Sequence, residues 1–334
     1  MNIYLFSIFI ITISFLLILL CNRNSCLMNR AGNLHQEYAG YSNIPLAGGV
    51  VIFFSMILTS FYELNLILWY FSAMFFIGLL SDIKRLDSPI IRFFLQLLLI
   101  IVCVYSSNII LISTKIIFLD YLLDNYLFSI FFTSFCILII VNGSNFIDGV
   151  NSLVLGYYII ISIALLLLQN NGFELAFNFP VHLLLFCLLI LYFLNLFNKL
   201  YLGDSGAYLL GFIFSIELIN FYSKNFVSPF FIILLLWYPA FENLFSILRK
   251  TNFKKSPIKP DTNHLHQLIF AFLKNKNYSP AKANNITGIS INIYNGVLMS
   301  LAISDPSNTQ FQIILIFLSL LIYTFLYMRL YNYR

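Results

Sequence analysis

The chain has 334 residues, 60% of them apolar and only 9% charged, against roughly a quarter charged in a soluble domain. With a mean hydropathy of +0.90 it lacks the polar surface that a fold in water needs, so a soluble protein is excluded. Its apolar runs of about 17 to 20 residues exclude a membrane barrel, whose strands need only about 10 alternating residues. The net charge of +5 gives no nucleic-acid reading, because Lys and Arg beside apolar runs are topology signals first.

Apolar runs set against polar interruptions predict spans near 3–21, 45–61, 65–80, 93–112, 126–143, 153–168, 181–198, 207–222, 229–247, 286–303 and 311–328. The fold class expected is an all-α polytopic membrane protein with about 11 transmembrane helices. The first run has no basic residue ahead of it and no small-x-small site behind it, and reads as a retained anchor. Cys21, Cys26, Cys103, Cys136 and Cys187 have no C-x-x-C spacing and read as small apolar side chains.

With eleven spans, 16 of the 18 basic residues fall on one face, and only Lys115 and Lys224 fall on the other. The positive-inside rule makes the basic face cytoplasmic, with the N-terminus outside and the C-terminus cytoplasmic. No repeat or linker divides residues 1–334, so one transmembrane domain is expected. Its cytoplasmic loops 22–44, 81–92, 142–152, 199–206 and 248–285 would form the functional face.

Four polar segments on that face stand out, since polar groups at a membrane are costly unless used. In chain order, Gly78-Leu79-Leu80-Ser81-Asp82-Ile83-Lys84-Arg85 closes the third span. Taken alone, it reads better as a helix end meeting headgroups. Asn142, Asn145 and Asp148 recur every three residues and share one face if the helix continues, with Asn151 next in the series. Gly203-Asp204-Ser205-Gly206 opens a helix, where backbone amides and a carboxylate could meet a phosphate and its metal, although glycine and aspartate also make ordinary turns. Asp261-Thr262-Asn263-His264-Leu265-His266-Gln267 follows a basic segment; its H-x-H invites zinc but has no third strong ligand nearby.

Together with Ile44-Pro45-Leu46-Ala47-Gly48-Gly49, these segments, in this order, resemble the polyprenyl-phosphate N-acetylhexosamine-1-phosphate transferases, glycosyltransferase family 4, which includes phospho-N-acetylmuramoyl-pentapeptide transferase. The resemblance implies transfer of a sugar 1-phosphate from a UDP-N-acetylhexosamine to undecaprenyl phosphate at the cytoplasmic face of the bacterial inner membrane, with Mg2+ or Mn2+, releasing UMP and starting a lipid-linked envelope glycan. It implies Asp204 as metal ligand and Asp82, Asp148 and His264 as catalytic. Asn142, Asn145, Asn151, Lys84, Arg249 and His266 would bind substrate. The partners implied are the two substrates and the bilayer; a homodimer is compatible with it.

The chain departs from the family at Ser81, where a first acid is usual, at Asn151 and Glu242, where aspartate is common, and at Gln267, where H-x-H-H ends in histidine. A lipid phosphate is already largely ionised near neutral pH, so Ser81 is expected to be compatible with attack. The rival readings are a transporter, which calls for acids near mid-membrane, and an inactive lipid-phosphate-binding scaffold.

Overall fold

The computed structural model describes residues 3–28, 43–59, 66–175, 180–252 and 262–333. Among these, fourteen helices form in chain order: α1 (Ile3–Asn24), α2 (Gly48–Thr59), α3 (Leu66–Asp82), α4 (Pro89–Ser107), α5 (Ile117–Leu123), α6 (Tyr126–Ile147), α7 (Leu153–Asn170), α8 (Val181–Leu196), α9 (Gly203–Lys224), α10 (Pro229–Leu235), α11 (Trp237–Asn252), α12 (Leu265–Asn275), α13 (Pro280–Ile303) and α14 (Thr309–Tyr333). No β-strand is present among the described residues. In hydrocarbon every backbone group must be satisfied within the segment, which helices achieve locally.

Seven of these helices, α1, α4, α6, α7, α9, α13 and α14, are long and apolar enough to cross a membrane. The pair α10 and α11 passes that test together but bends by 77° at Leu236, while α2, α3 and α8 are shorter apolar helices. The protein is therefore an all-helical, polytopic membrane protein. Boundaries follow local chemistry. Ser88 caps α4 with Pro89 in its first turn, and the Asn125 side chain accepts from Phe128 N (3.1 Å) at the start of α6.

Three features differ from the sequence expectation. Residues 142–147 lie within α6 rather than in a loop, because the intrahelical ladder runs on to Ile147. The segment 248–285 includes the end of α11 and all of α12. The short helix α5 sits where only a connection was expected; its Asp120 accepts from Thr114 N (2.6 Å), Thr114 Oγ1 (2.7 Å) and Ser113 Oγ (2.8 Å).

Helix α9 is the axis of the bundle. From Gly203 to Ile219 all its residues except Asp204 are buried, and α2, α3 and α6 pack on it. Gly78 of α3 lets the two backbones meet, since a Cβ there would lie 2.4 Å from Ser205 Cα. The helix ends divide between two faces. On one face gather the end of α3, the end of α6 and the starts of α9 and α12. On the other, Lys224 pairs with Glu174 (3.2 Å), and Lys115 donates to Thr309 Oγ1 (2.8 Å).

Candidate active site

The first carboxylate belongs to the last residue of α3. Asp82 Oδ1 accepts from Asp204 N (2.8 Å) and Oδ2 from Ser205 N (3.0 Å), so the acid caps α9 from another helix. Gly203, at φ 77°, makes the turn, and Asp82 Oδ2 lies 2.8 Å from where a Cβ would sit. These two amides, expected from the sequence to be open to a phosphate, are instead occupied by Asp82, because an unsatisfied helix start is stabilised by the nearest acceptor.

The cap aims Asp204 outward. Its Oδ2 accepts from Arg92 Nη1 (2.7 Å) and Ser81 Oγ (2.5 Å), and its Oδ1 accepts from Asn145 Nδ2 (2.7 Å). Arg92 Nη1 also donates to Ser81 Oγ (2.5 Å) and Tyr208 Oη (3.4 Å). The Asp204 side chain remains 30% exposed. Asp148 lies just past the end of α6, half-buried. Withdrawal from solvent, and then the Asp204 and Asp82 charges, push its carboxyl well above the usual carboxylate range. Asn142, on the same helix, turns to Gln96 Oε1 (3.1 Å) and Leu138 O (3.0 Å).

The histidines form a second, drier junction. Glu242 of α11 accepts from Leu265 N (3.1 Å) and lies 3.0 Å from His264 Nδ1. Gln267 Oε1 accepts from His264 N (3.0 Å), so the residue replacing the family's last histidine helps to close the start of α12. The His264 and His266 rings stack at 5.6 Å, and both residues are buried. His266 Nε2 packs over Gly149, 2.4 Å from where a Cβ would be, which puts the histidine pair beside the turn that carries Asp148.

Behind that turn is a network of neutral amides. Asn151 Nδ2 donates to Asn198 Oδ1 (2.8 Å) and Asn285 Oδ1 (3.2 Å), and Asn151 N donates to Asn284 Oδ1 (2.6 Å). Ser152, held at φ 63°, donates its N–H to Asn195 Oδ1 (2.5 Å) and accepts from Asn292 Nδ2 (3.0 Å). Asn151 thus joins the turn to α8 and α13. Sequence reading missed this network, because frequent Asn carries no motif; the signal available was the pair Asn284 and Asn285 just ahead of an apolar span, with Asn292 unusual inside it.

Lys84 is exposed just beyond α3, at φ 57°. Arg249 is buried: it donates to Asn263 O and to Tyr327 Oη (2.9 Å), and lies over the Phe245 and Tyr327 rings, fixing the approach to His264. Asp261 and most of the basic segment before it, including Lys254, Lys255 and Lys259, fall outside the described residues. Two charged residues escaped the sequence reading. Arg92 was taken only as a topology signal, and Glu217, fully buried 14 residues along α9, breaks the pattern of acids confined to the faces.

Among the described residues no three His, Cys, Asp or Glu side chains converge as a metal cage. Mg2+ does not need one, since it binds through one or two carboxylates and substrate phosphates while keeping waters. The partly exposed Asp204, with the carboxyl of Asp148 close enough to feel its charge, fits that mode of binding.

Residues 64–222, which hold Asp82, Asp148 and Asp204, match the family model described as glycosyl transferase family 4. The chain is 28% identical over 251 residues to the undecaprenyl-phosphate alpha-N-acetylglucosaminyl 1-phosphate transferase of Escherichia coli O157:H7, covering 71% of this chain and 67% of that protein. It is 27% identical over 229 residues to the protein of the same name from Thermotoga maritima, covering 67% of each. A decaprenyl-phosphate N-acetylglucosaminephosphotransferase of Mycolicibacterium smegmatis is 29% identical over 149 residues, 38% of this chain and 37% of that protein. Over these stretches the chain is similar to glycosyl transferase family 4 and to proteins named as polyprenyl-phosphate N-acetylglucosamine 1-phosphate transferases.

Proposed function

We propose that the protein transfers N-acetylglucosamine 1-phosphate from a UDP-sugar to a polyprenyl phosphate in the bacterial inner membrane. The observation that carries this is the meeting of Asp82, Asp148 and Asp204, from the ends of three helices, at one end of a membrane bundle whose relatives carry that activity in their names. Both substrates are phosphate anions, and bringing them together calls for positive charge and fixed geometry. A bound Mg2+ would supply Lewis-acid neutralisation of phosphate charge, held by Asp204 with Asp148 beside it.

The chain's own residues do the positioning. Asp82 fixes the first turn of α9 and with it the direction of Asp204, and Asn145 orients the carboxylate. The stacked histidines, buried and held through His264 by Glu242, brace the turn that carries Asp148 from the other side. Lys84 and the basic segment before His264 would draw in the UDP-sugar.

The long helices, the bent pair and the three shorter apolar helices together support eleven crossings, with the N-terminus outside. The basic residues support a cytoplasmic functional face. In a cysteine-free background, a cysteine at Ser256 would escape an impermeant external reagent and one at Asn171 would react; the reverse pattern overturns the orientation.

The test of function is UMP release by the purified protein from UDP-N-acetylglucosamine and undecaprenyl phosphate, with and without Mg2+. Release that requires both lipid phosphate and cation supports the reading. No release from any UDP-N-acetylhexosamine would return the chain to the scaffold alternative.

A further inference from the structure

Arg92 is tied to Asp204, the carboxylate that the cation reading takes as ligand. Its Nη1 lies 2.7 Å from Asp204 Oδ2, and its partner in that contact, Ser81, is uncharged. The Ser81 hydroxyl accepts from Arg92 and donates to Asp204, so it bridges the pair without supplying a second negative charge. Of the other two acids at this end, Asp82 has both oxygens engaged by the start of α9, and neither it nor Asp148 lies within ion-pair distance of Arg92. Among the described residues, Asp204 is the carboxylate with which the guanidinium pairs.

We propose that Arg92 is a positioning residue that holds the Asp204 carboxylate in the absence of a divalent cation and exchanges with that cation at Asp204 Oδ2. This rests on the reading of Asp204 as cation ligand. A guanidinium and a divalent ion repel each other, and an oxygen that already accepts two hydrogen bonds is a poorer ligand. Cation binding thus displaces Arg92 from Oδ2 and leaves its donors free for a phosphate. Ser81 sets the strength of the competition: an acid at position 81 would give Arg92 a second partner and release Asp204.

The experiment is a Mn2+ titration of the purified full-length protein in detergent, without substrates, following the loss of the free-ion electron paramagnetic resonance signal. Arg92→Gln is expected to bind Mn2+ tighter than the parent by roughly fivefold or more. Ser81→Asp, which keeps the arginine, should move the same way, while Arg92→Lys, which keeps the charge, should stay near the parent. Asp204→Asn should lose the site.

Unchanged or weaker Mn2+ binding in both Arg92→Gln and Ser81→Asp, with Asp204→Asn still losing the site, overturns the exchange and leaves the cation reading intact. Mn2+ binding that survives Asp204→Asn overturns both. Thermal unfolding of each variant without cation separates a lost site from a lost fold.

Discussion

Asp82 and Glu242 do the same job in two places, and the contrast between their surroundings separates holding groups from reacting groups. Each reaches from one helix to the first amides of another, Asp82 to α9 and Glu242 to α12. At α9 the cap leaves its cargo, Asp204, partly in water and surrounded by exchangeable donors. At α12 the cap also binds the cargo: Glu242 is paired with His264, and both are nearly inaccessible. The first junction can accept a charged ligand by swapping partners, whereas the second is built to stay as it is. An acid in a motif is therefore not automatically a reagent, and the residue it positions is the better candidate.

The variant with the largest expected effect is Asp204→Asn. It removes charge from the exposed side of the first junction and should lower turnover by about a thousandfold or more while thermal unfolding stays near the parent's. Near-normal turnover would erase the distinction between the two acids.

Next comes Glu242→Ala, which leaves His264 and the Leu265 amide without their acceptor in a dry site. Losing one partner of a buried pair costs about 3–5 kcal/mol, to be read as a fall in unfolding midpoint. A variant as stable as the parent would show that the second junction is not locked.

Asp82→Ala should cost less, about 1–2 kcal/mol, as loss of a helix cap. Asp82→Asn should recover most of that stability, since the amide oxygen still accepts. Equal destabilisation by Ala and Asn would mean that charge, rather than capping, is what Asp82 supplies.

Gly149→Ala and Gly78→Ala test whether the junctions are independent. The first pushes on His266 and the second on the start of α9, each at about 1–3 kcal/mol of overpacking. Gly149→Ala is expected to raise KM for the UDP-sugar and leave Mn2+ binding unchanged, and Gly78→Ala to do the opposite. The smallest effect is expected at the exposed Asp87, where Asn should stay within about 0.5 kcal/mol in stability and leave turnover near normal.

The sequence made the apolar runs legible, because each span is a long statistical signal and each interruption is polar. It also carried the helix of Asn142 and Asn145 onward, since a three-residue period continued a helix that was already strong, while the meeting of Asn145 with Asp204 was implied only by the family resemblance. What it hid were pairings across the chain. Asp82 looked like a headgroup-facing acid until α9 came down on it 122 residues later. Gln267 looked like a lost histidine until its side chain closed the turn at His264. The break at Leu236 was also invisible, because an apolar run reads the same whether or not it bends.

The amide network behind Asp148 has an electrical consequence. Asn151, Asn195, Asn198, Asn284, Asn285 and Asn292 bear dipoles but no net charge, so this network stays neutral at any pH the cell meets. The potential at Asp204 is then governed by Arg92, Asp82 and Asp148 beside it and by the exposed basic residues farther out, and bulk salt screens chiefly the exposed ones. Raising ionic strength should slow capture of a soluble anionic donor while leaving the rate of the bound complex almost untouched, a signature that acids in place of these amides, with their own counterions, would blur.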